Sequence, residues 1–416
     1  MSVAVFAVGV LIAAATWCAI FTPRRPLVLG WLGWVVGLVP CEVPCAAVVV
    51  NGLLLGLFVA VGALASPLGI VAIVLVGAAV LGDLVLVGRS RAAAPTVARA
   101  LRTGLGEHFR EEVHADLVPV EPRPVSAVRE AFAPLHARRR DVERIADVPY
   151  GDAGERNQLD LYVARTRPKQ CPVLIYVHGG AWTHGKKDQQ GLPIVYHFAS
   201  RGWLCVQPNY RLCPEATFPD QIVDIKRAIA WVHEHAPDHG GDPQQIFLTG
   251  GSAGGHLSAL AALTMNDPTL QPGFENADTS VVAAMPLYGD YDWLDSHGER
   301  AERGLDRSSY FTDKIVKCSA GTDRRRWEQG SPLCQVRADA PPFFVVHGAR
   351  DSMLLVEDAR HFVAALQSVS GSPVAYAELP GAQHAFDGFE SVRCGSVING
   401  MEWFTAWVRT TRLRVV

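Results

Sequence analysis

The chain has no surplus of positive charge: 38 Lys and Arg stand against 41 Asp and Glu, a formal net charge of −3 over 416 residues. A nucleic-acid partner, which needs a basic face, is therefore not indicated. Cys-x-x-Cys pairs are also missing, and with them the spacing of zinc ribbons and thioredoxin-type redox sites. The nine cysteines are scattered and odd in number, which reads as free thiols in a reducing compartment. A disulfide between Cys318 and Cys334 stays open. The largest shortage is local. Residues 1–88 hold only four charged side chains, Arg24, Arg25, Glu42 and Asp83. No basic residue precedes the first apolar run and more apolar runs follow, which argues against a secretory signal peptide.

Hydrocarbon fills that charge-poor region. Val3–Phe21 is a charge-free run of 19 residues, and Cys45–Gly82 is a second, broken by Ser66-Pro67. A helix rises about 1.5 Å per residue, so roughly 20 residues cross a bilayer core. The pattern predicts spanning helices near residues 3–21, 45–65 and 67–88, the last two joined by a tight hairpin at Ser66-Pro67. Leu27–Val39 has 13 residues, too few to span alone; re-entrant, interfacial and part-span readings stay open. Arg24-Arg25 and the cluster Arg89, Arg91, Arg99 and Arg102 flank the spans. With both clusters cytoplasmic, three crossings result. The expectation is a multi-pass cell-membrane protein (residues 1–89 in the membrane) with its catalytic domain in the cytoplasm. Asp83 reads first as an interfacial charge and second as a functional intramembrane one. Residues 90–142, polar and basic, predict a helical linker. Its run Arg138-Arg139-Arg140 is either a contact to anionic headgroups or a solvated face.

The pattern changes at about residue 143. Glu143–Val148 and Gln158–Val163 read as two strands. Pro172–Val177, Leu204–Gln207, Gln245–Thr249, Val281–Leu287, Pro342–Val346 and Val374–Glu378 are short apolar strands. Helical patterns near 189–200, 219–235, 255–264, 356–369 and 396–409 alternate with them. Buried strands alternating with helices predict an α/β domain over 143–416, a mostly parallel sheet covered on both faces. Reactive groups in such sheets lie beyond the carboxyl ends of the strands.

Four groups fall at those ends. Gly250-Gly251-Ser252-Ala253-Gly254-Gly255 follows an apolar strand and opens a helix, so Gly250, Ser252 and Gly254 form G-x-S-x-G. The glycines relieve crowding around a serine held in a strained turn. His178-Gly179-Gly180-Ala181-Trp182 follows another strand, and two glycines let backbone N–H groups approach a substrate oxygen. Gly179, Gly180 and Ala253 are the expected oxyanion donors. Asp351 and His384 each follow a later strand. The order Ser252, Asp351, His384 is that of an α/β-hydrolase triad, in which a neutral imidazole activates the serine and the aspartate orients the imidazole.

These residues, with Asn209-Tyr210-Arg211-Leu212-Cys213-Pro214-Glu215, carry a resemblance. Residues 143–410 resemble α/β-hydrolase carboxylesterases of the hormone-sensitive-lipase-like branch. The whole chain, apolar N-terminus included, resembles membrane-anchored esterases and lipases of mycobacteria and other actinobacteria. The resemblance implies a serine esterase with Ser252, Asp351 and His384 as its triad and no metal or organic cofactor. One departure stands out: Ala181 replaces a third glycine, and the His-Gly-Gly-x-Trp form also resembles kynurenine formamidases and feruloyl-esterase-like proteins. An amidase or formamidase on the same triad is thus the alternative activity, and a catalytically silent membrane scaffold the alternative class.

Other features are weaker. Trp182, Tyr288 and Tyr291 are candidate substrate contacts. Asp290 and Asp292 are runners-up for the triad acid. Arg211 is expected to pair with Asp220 or Glu215 and brace the oxyanion loop. Residues 294–340 interrupt the sheet pattern as a cap-like insertion. His233 and His235 point to different helix faces, which disfavours a metal site with His239. His184, Lys186 and Lys187 read as a solvated turn. Anchoring points to a lipophilic ester as substrate, with the membrane as partner.

Overall fold

The structure is a computed structural model describing residues 2–23, 27–119 and 126–413. Its N-terminal helices are α1 (Ser2–Phe21), α2 (Leu27–Glu42), α3 (Pro44–Ala60), α4 (Pro67–Arg91) and α5 (Ala93–Leu105). By length and composition α1 and the run Pro67–Leu105 are able to cross a membrane, and α2 with α3, bent by 91°, makes a third at most. The helix expected over 45–65 ends earlier than read: α3 stops at Ala60, and Gly62, at φ 78°, turns the chain. Ser66 caps α4 by accepting the Gly69 N–H at 3.1 Å. Small residues let α1 and α4 approach, with Gly9 against Ala72 and Gly82 against Thr16. Asp83 does not face outward from the helices. It is buried and accepts bonds from Thr16 Oγ1 (3.0 Å) and Asn51 Nδ2 (2.7 Å), tying α1, α3 and α4 together. Arg24 and Arg25 lie outside the described residues.

The expected linker has no independence from the sheet. Gly104 of α5 packs on Ala375, leaving no room for a side chain. Further on, Ala127–Phe132 is helical and the chain to Arg140 is not. Arg139 donates to Ser200 Oγ at 2.9 Å, so the arginine run does not form one solvated helix face.

Strands rich in Val, Ile and Phe build one eight-stranded sheet, in the order β1-β2-β4-β3-β5-β6-β7-β8. They are β1 (Val142–Pro149), β2 (Gln158–Ala164), β3 (Cys171–Val177), β4 (Leu204–Pro208), β5 (Gly241–Gly251), β6 (Ala283–Leu287), β7 (Phe343–Gly348) and β8 (Val374–Leu379). β1–β2 and β2–β4 are antiparallel; the remaining pairs are parallel. The pleat sends alternate side chains to two cores. Val173, Ile175 and Val177 face the core shared with α7 (Asp220–His235), α8 (Ala253–Leu263) and α9 (Val356–Val369). Leu174 and Tyr176 face the core shared with α5, α6 (Leu192–Ser200) and α10 (Val392–Leu413). Among the described residues no disulfide links any of the nine cysteines, Cys318 and Cys334 included.

Candidate active site

The site begins where β5 ends. Ser252 stands between β5 and α8 at φ 58° and ψ −122°, a conformation held only under constraint from its surroundings. The constraint is close packing. A Cβ on Gly250 would lie 2.5 Å from the Val177 carbonyl oxygen, and one on Gly254 only 2.0 Å from it. A Cβ on Gly255 would lie 2.5 Å from the Leu287 oxygen. Glycine at these positions lets the turn wedge between β3 and β6, which holds the serine hydroxyl out from the sheet.

The loops after β7 and β8 bring the other two groups to it. His384 Nε2 lies 2.9 Å from Ser252 Oγ, and His384 Nδ1 lies 2.7 Å from Asp351 Oδ2. A carboxylate only accepts, so Nδ1 carries the proton and Nε2 is left to accept from the hydroxyl. The other oxygen of Asp351 accepts from the backbone N–H groups of Met353 and Leu354, both at 2.8 Å. Burial pushes the Asp351 carboxyl up, but His384 and His347 beside it override that and hold it well below the usual carboxylate range. Asp351 is thus an anion in the interior, facing an imidazole.

One expected oxyanion donor is corrected. Gly179 N–H donates to Gln190 Oε1 at 2.7 Å and is not available to a substrate. Gly180 (φ 119°) and Ala181 (φ 50°) follow, and among the described residues their N–H groups meet no acceptor. Ala181, Ala253, Ser252 and His384 line a cavity of about 560 Å³. Tyr310 of the 294–340 insertion lines it too, donating to the Ala181 carbonyl at 2.8 Å.

The aromatic expectations divide. Trp182 reaches the cavity wall but is otherwise core, stacked edge-on against His256 and Trp293. Tyr288 lies behind His384, ring centroids 4.7 Å apart, and its hydroxyl donates to Asp387. Tyr291 does not line the cavity: it stacks on Phe362 at 4.5 Å, and its oxygen accepts the Gly289 N–H. Tyr288 and Tyr291 thus support the sheet end and do not line the cavity. Asp290 faces Arg300 and Arg307, and Asp292 accepts from Ser296, so neither competes with Asp351. Arg211 pairs with Asp220 and, more closely, with Asp224, whereas Tyr210 braces the oxyanion loop by donating to the His178 carbonyl at 3.0 Å. Lys187 is not in a solvated turn; it is buried between Asp147 and Asp160. His235 and His239 stack on Trp231, and His233 bonds the Ser280 carbonyl.

Sequence reasoning missed the contribution of α2. Trp34 Nε1 donates to the carbonyl of His384 at 3.0 Å. Glu42 accepts the Gln383 N–H at 2.9 Å and is ion-paired with the fully buried Arg393. Ser352 donates to the Gly30 carbonyl at 3.1 Å, and Gln383 Oε1 accepts the N–H groups of Ser352 and His384. Both loops that carry the histidine and the aspartate are therefore pinned to the apolar helix. In the sequence, Glu42 standing as the one acid in a charge-poor stretch before Asp83 was the only signal of this.

Two buried histidines sit beneath the site. Burial pulls His178 and His256 down to about 4. For His256 the bonding agrees: Trp182 Nε1, which can only donate, points at Nδ1 (3.2 Å), leaving Nε2 to donate to the Gly330 carbonyl (2.7 Å). Each ring is neutral when folded and charged when unfolded between pH 4 and 6.5. The unfolded state then binds more protons, so stability falls as pH falls through that window and levels off below it. Each ring accounts for roughly 3 kcal/mol at most. The thermal midpoint in detergent is expected to drop between pH 7 and 4.5, and to drop less in His256→Gln. A flat midpoint would contradict the burial argument.

The eight-stranded sheet with a serine elbow after β5 defines an α/β hydrolase. Comparison with known proteins carries this further. A family model described as BD-FAE matches residues 159–366. "Probable carboxylic ester hydrolase LipM" of Mycobacterium tuberculosis is 40% identical, over 97% of this chain and 94% of its own. Esterase LipQ of the same organism is 44% identical, over 66% of this chain and 65% of its own. Among solved structures, an inhibited esterase B from Lactobacillus rhamnosis superposes with a TM-score of 0.55 at 22% identity, covering 66% of this chain and 89% of that one, a likeness of fold alone. The chain belongs to the BD-FAE family of α/β hydrolases, with mycobacterial esterases as relatives, and is a carboxylic ester hydrolase.

Proposed function

We propose that this enzyme hydrolyses carboxylic esters through an acyl-enzyme formed on Ser252. His384 takes the hydroxyl proton as Ser252 attacks the carbonyl, then gives it to the leaving alcohol. Asp351 fixes the imidazole tautomer and stabilises the imidazolium. The N–H groups of Gly180, Ala181 and Ala253 receive the oxyanion, with Gly179 orienting the loop instead. Water, activated by the same histidine, then releases the acid. The observation that carries this reading is the relay of 2.9 and 2.7 Å at a serine held in a strained turn.

The N-terminal helices support an integral membrane enzyme acting on a lipophilic ester. Thr16 of α1 meets Asp83 and the Ile20 carbonyl meets Arg89, so α1 and α4 run in the same direction, toward the catalytic domain. With α3 returning between them, three crossings put the N-terminus across the membrane from the enzyme. Arg89 and Arg91 at the end of α4 favour the cytoplasm for the catalytic side. The test is turnover of p-nitrophenyl butyrate by the full chain in detergent, beside N-formylkynurenine. Ester turnover that exceeds amide turnover and vanishes in Ser252→Ala is expected. Preferential turnover of the formamide would transfer the reading to an amidase.

A further inference from the structure

Helix α2 has two unlike faces. Its inner face is narrow: a side chain at Gly37 would meet the backbone of Ala19 at 2.8 Å, and Gly33 lies against Pro23. Gly30 and Trp34 on this side, and Glu42 at the C-terminal end of the helix, make the bonds to the histidine and aspartate loops described above. The outer face carries Val28, Trp31, Val35 and Val39, spaced three or four residues apart and so forming one stripe. These side chains are 67, 49, 46 and 52% exposed. Four large apolar side chains along one exposed ridge are unusual for a surface that meets water. Trp17 and Phe21 of α1, the helix packed beside α2, are exposed in the same way.

The stripe runs into the active site. Val28 and Trp31, at its N-terminal end, also line the cavity that holds Ser252 and His384. Helix α2 lies at 91° to α3. It sits at the end of the helical bundle where α1 and α4 meet the catalytic domain: Gly37 packs on Ala19, Cys41 Sγ donates to the Gly381 carbonyl at 3.2 Å, and Arg89 of α4 donates to the Ile20 carbonyl. A helix crosswise at that level lies in the plane of a bilayer surface, where an apolar face enters the acyl region. One continuous apolar strip then leads from hydrocarbon to the serine.

We infer that α2 is the portal by which substrate reaches Ser252 from the bilayer, and that Val28 and Trp31 bind its hydrocarbon chain. The substrate class is a membrane-resident ester of a long-chain fatty acid. The inference rests on the reading of Ser252 as the group that meets the ester carbonyl. The chain slides along the stripe without leaving an apolar surrounding, and the cost of drawing it into water is avoided.

Two measurements test the portal, both on the full chain. In proteoliposomes, the ratio of kcat/KM for p-nitrophenyl decanoate over p-nitrophenyl butyrate is expected to fall tenfold or more in Val28→Ala/Trp31→Ala. An unchanged ratio overturns the proposal. In Ser252→Ala, a palmitoyl ester with a terminal diazirine is expected to cross-link to the peptide of residues 27–42. Cross-links confined to other peptides overturn it. The second measurement needs no turnover. A cross-link to α2 without Ser252-dependent hydrolysis would therefore remove the mechanism and keep the portal.

Discussion

Replacing Ser252 with alanine is expected to lower kcat for ester hydrolysis on the order of 10⁶-fold, as loss of a triad serine does elsewhere. The geometry gives the reason. Ser252 stands on the turn between β5 and α8, and the imidazole 2.9 Å away has no second hydroxyl within the relay to use. His384→Gln is expected to cost nearly as much, and the double variant no more than either alone, because the groups act as a unit. Removing Asp351 costs somewhat less in that pattern. Its two backbone bonds to Met353 and Leu354 also hold the loop, so Asp351→Asn is the cleaner probe. Stopped assays at high enzyme concentration measure these losses; a Ser252→Ala enzyme within tenfold of wild type would contradict the assignment.

Glu42→Ala is expected to have the next largest effect, although Glu42 lies 342 residues from His384. Two consequences follow from one carboxylate. Arg393 loses its partner while fully buried, which typically costs 3–5 kcal/mol. Gln383 loses the acceptor for its N–H, and with it the loop that holds His384 loosens. A histidine displaced by about 1 Å costs about 10²-fold in rate. The two effects separate in Glu42→Met/Arg393→Met. Replacing a buried ion pair with apolar side chains is often neutral or stabilising. The double variant is therefore expected to regain its thermal midpoint while kcat stays low and KM for a short ester changes little. Full recovery of kcat with stability would show that Glu42 serves folding alone.

The part of this site that was legible in the sequence is the part that sheet geometry dictates. Ser252, Asp351 and His384 each follow an apolar strand, and residues at the ends of parallel strands converge whatever the intervening loops do. The strands and helices of residues 143–416 were readable for the same reason, through period and length. What was not legible depended on contacts between distant segments. Nothing local marks Gln190 as the acceptor that takes Gly179 away from the oxyanion. Lys187 reads as solvent-exposed until Asp147 and Asp160 are brought to it by β1 and β2. Tyr291 resembles a pocket aromatic by position, yet its ring stacks on Phe362 of a distant helix. The apolar run of α2 is too short to span, and sequence alone could not tell a re-entrant segment from an interfacial one. Its attachment to the histidine loop is a tertiary fact, visible beforehand only as one acid in a stretch with almost no charge.

Everything turns on His384 making Ser252 reactive. Labelling of the full chain by a fluorophosphonate, with the adduct located by peptide mass spectrometry, tests it most directly. A single adduct on Ser252 is expected, formed rapidly at neutral pH and lost in His384→Gln. Folded protein that takes no adduct at Ser252, or takes it at the same rate without the histidine, would contradict it.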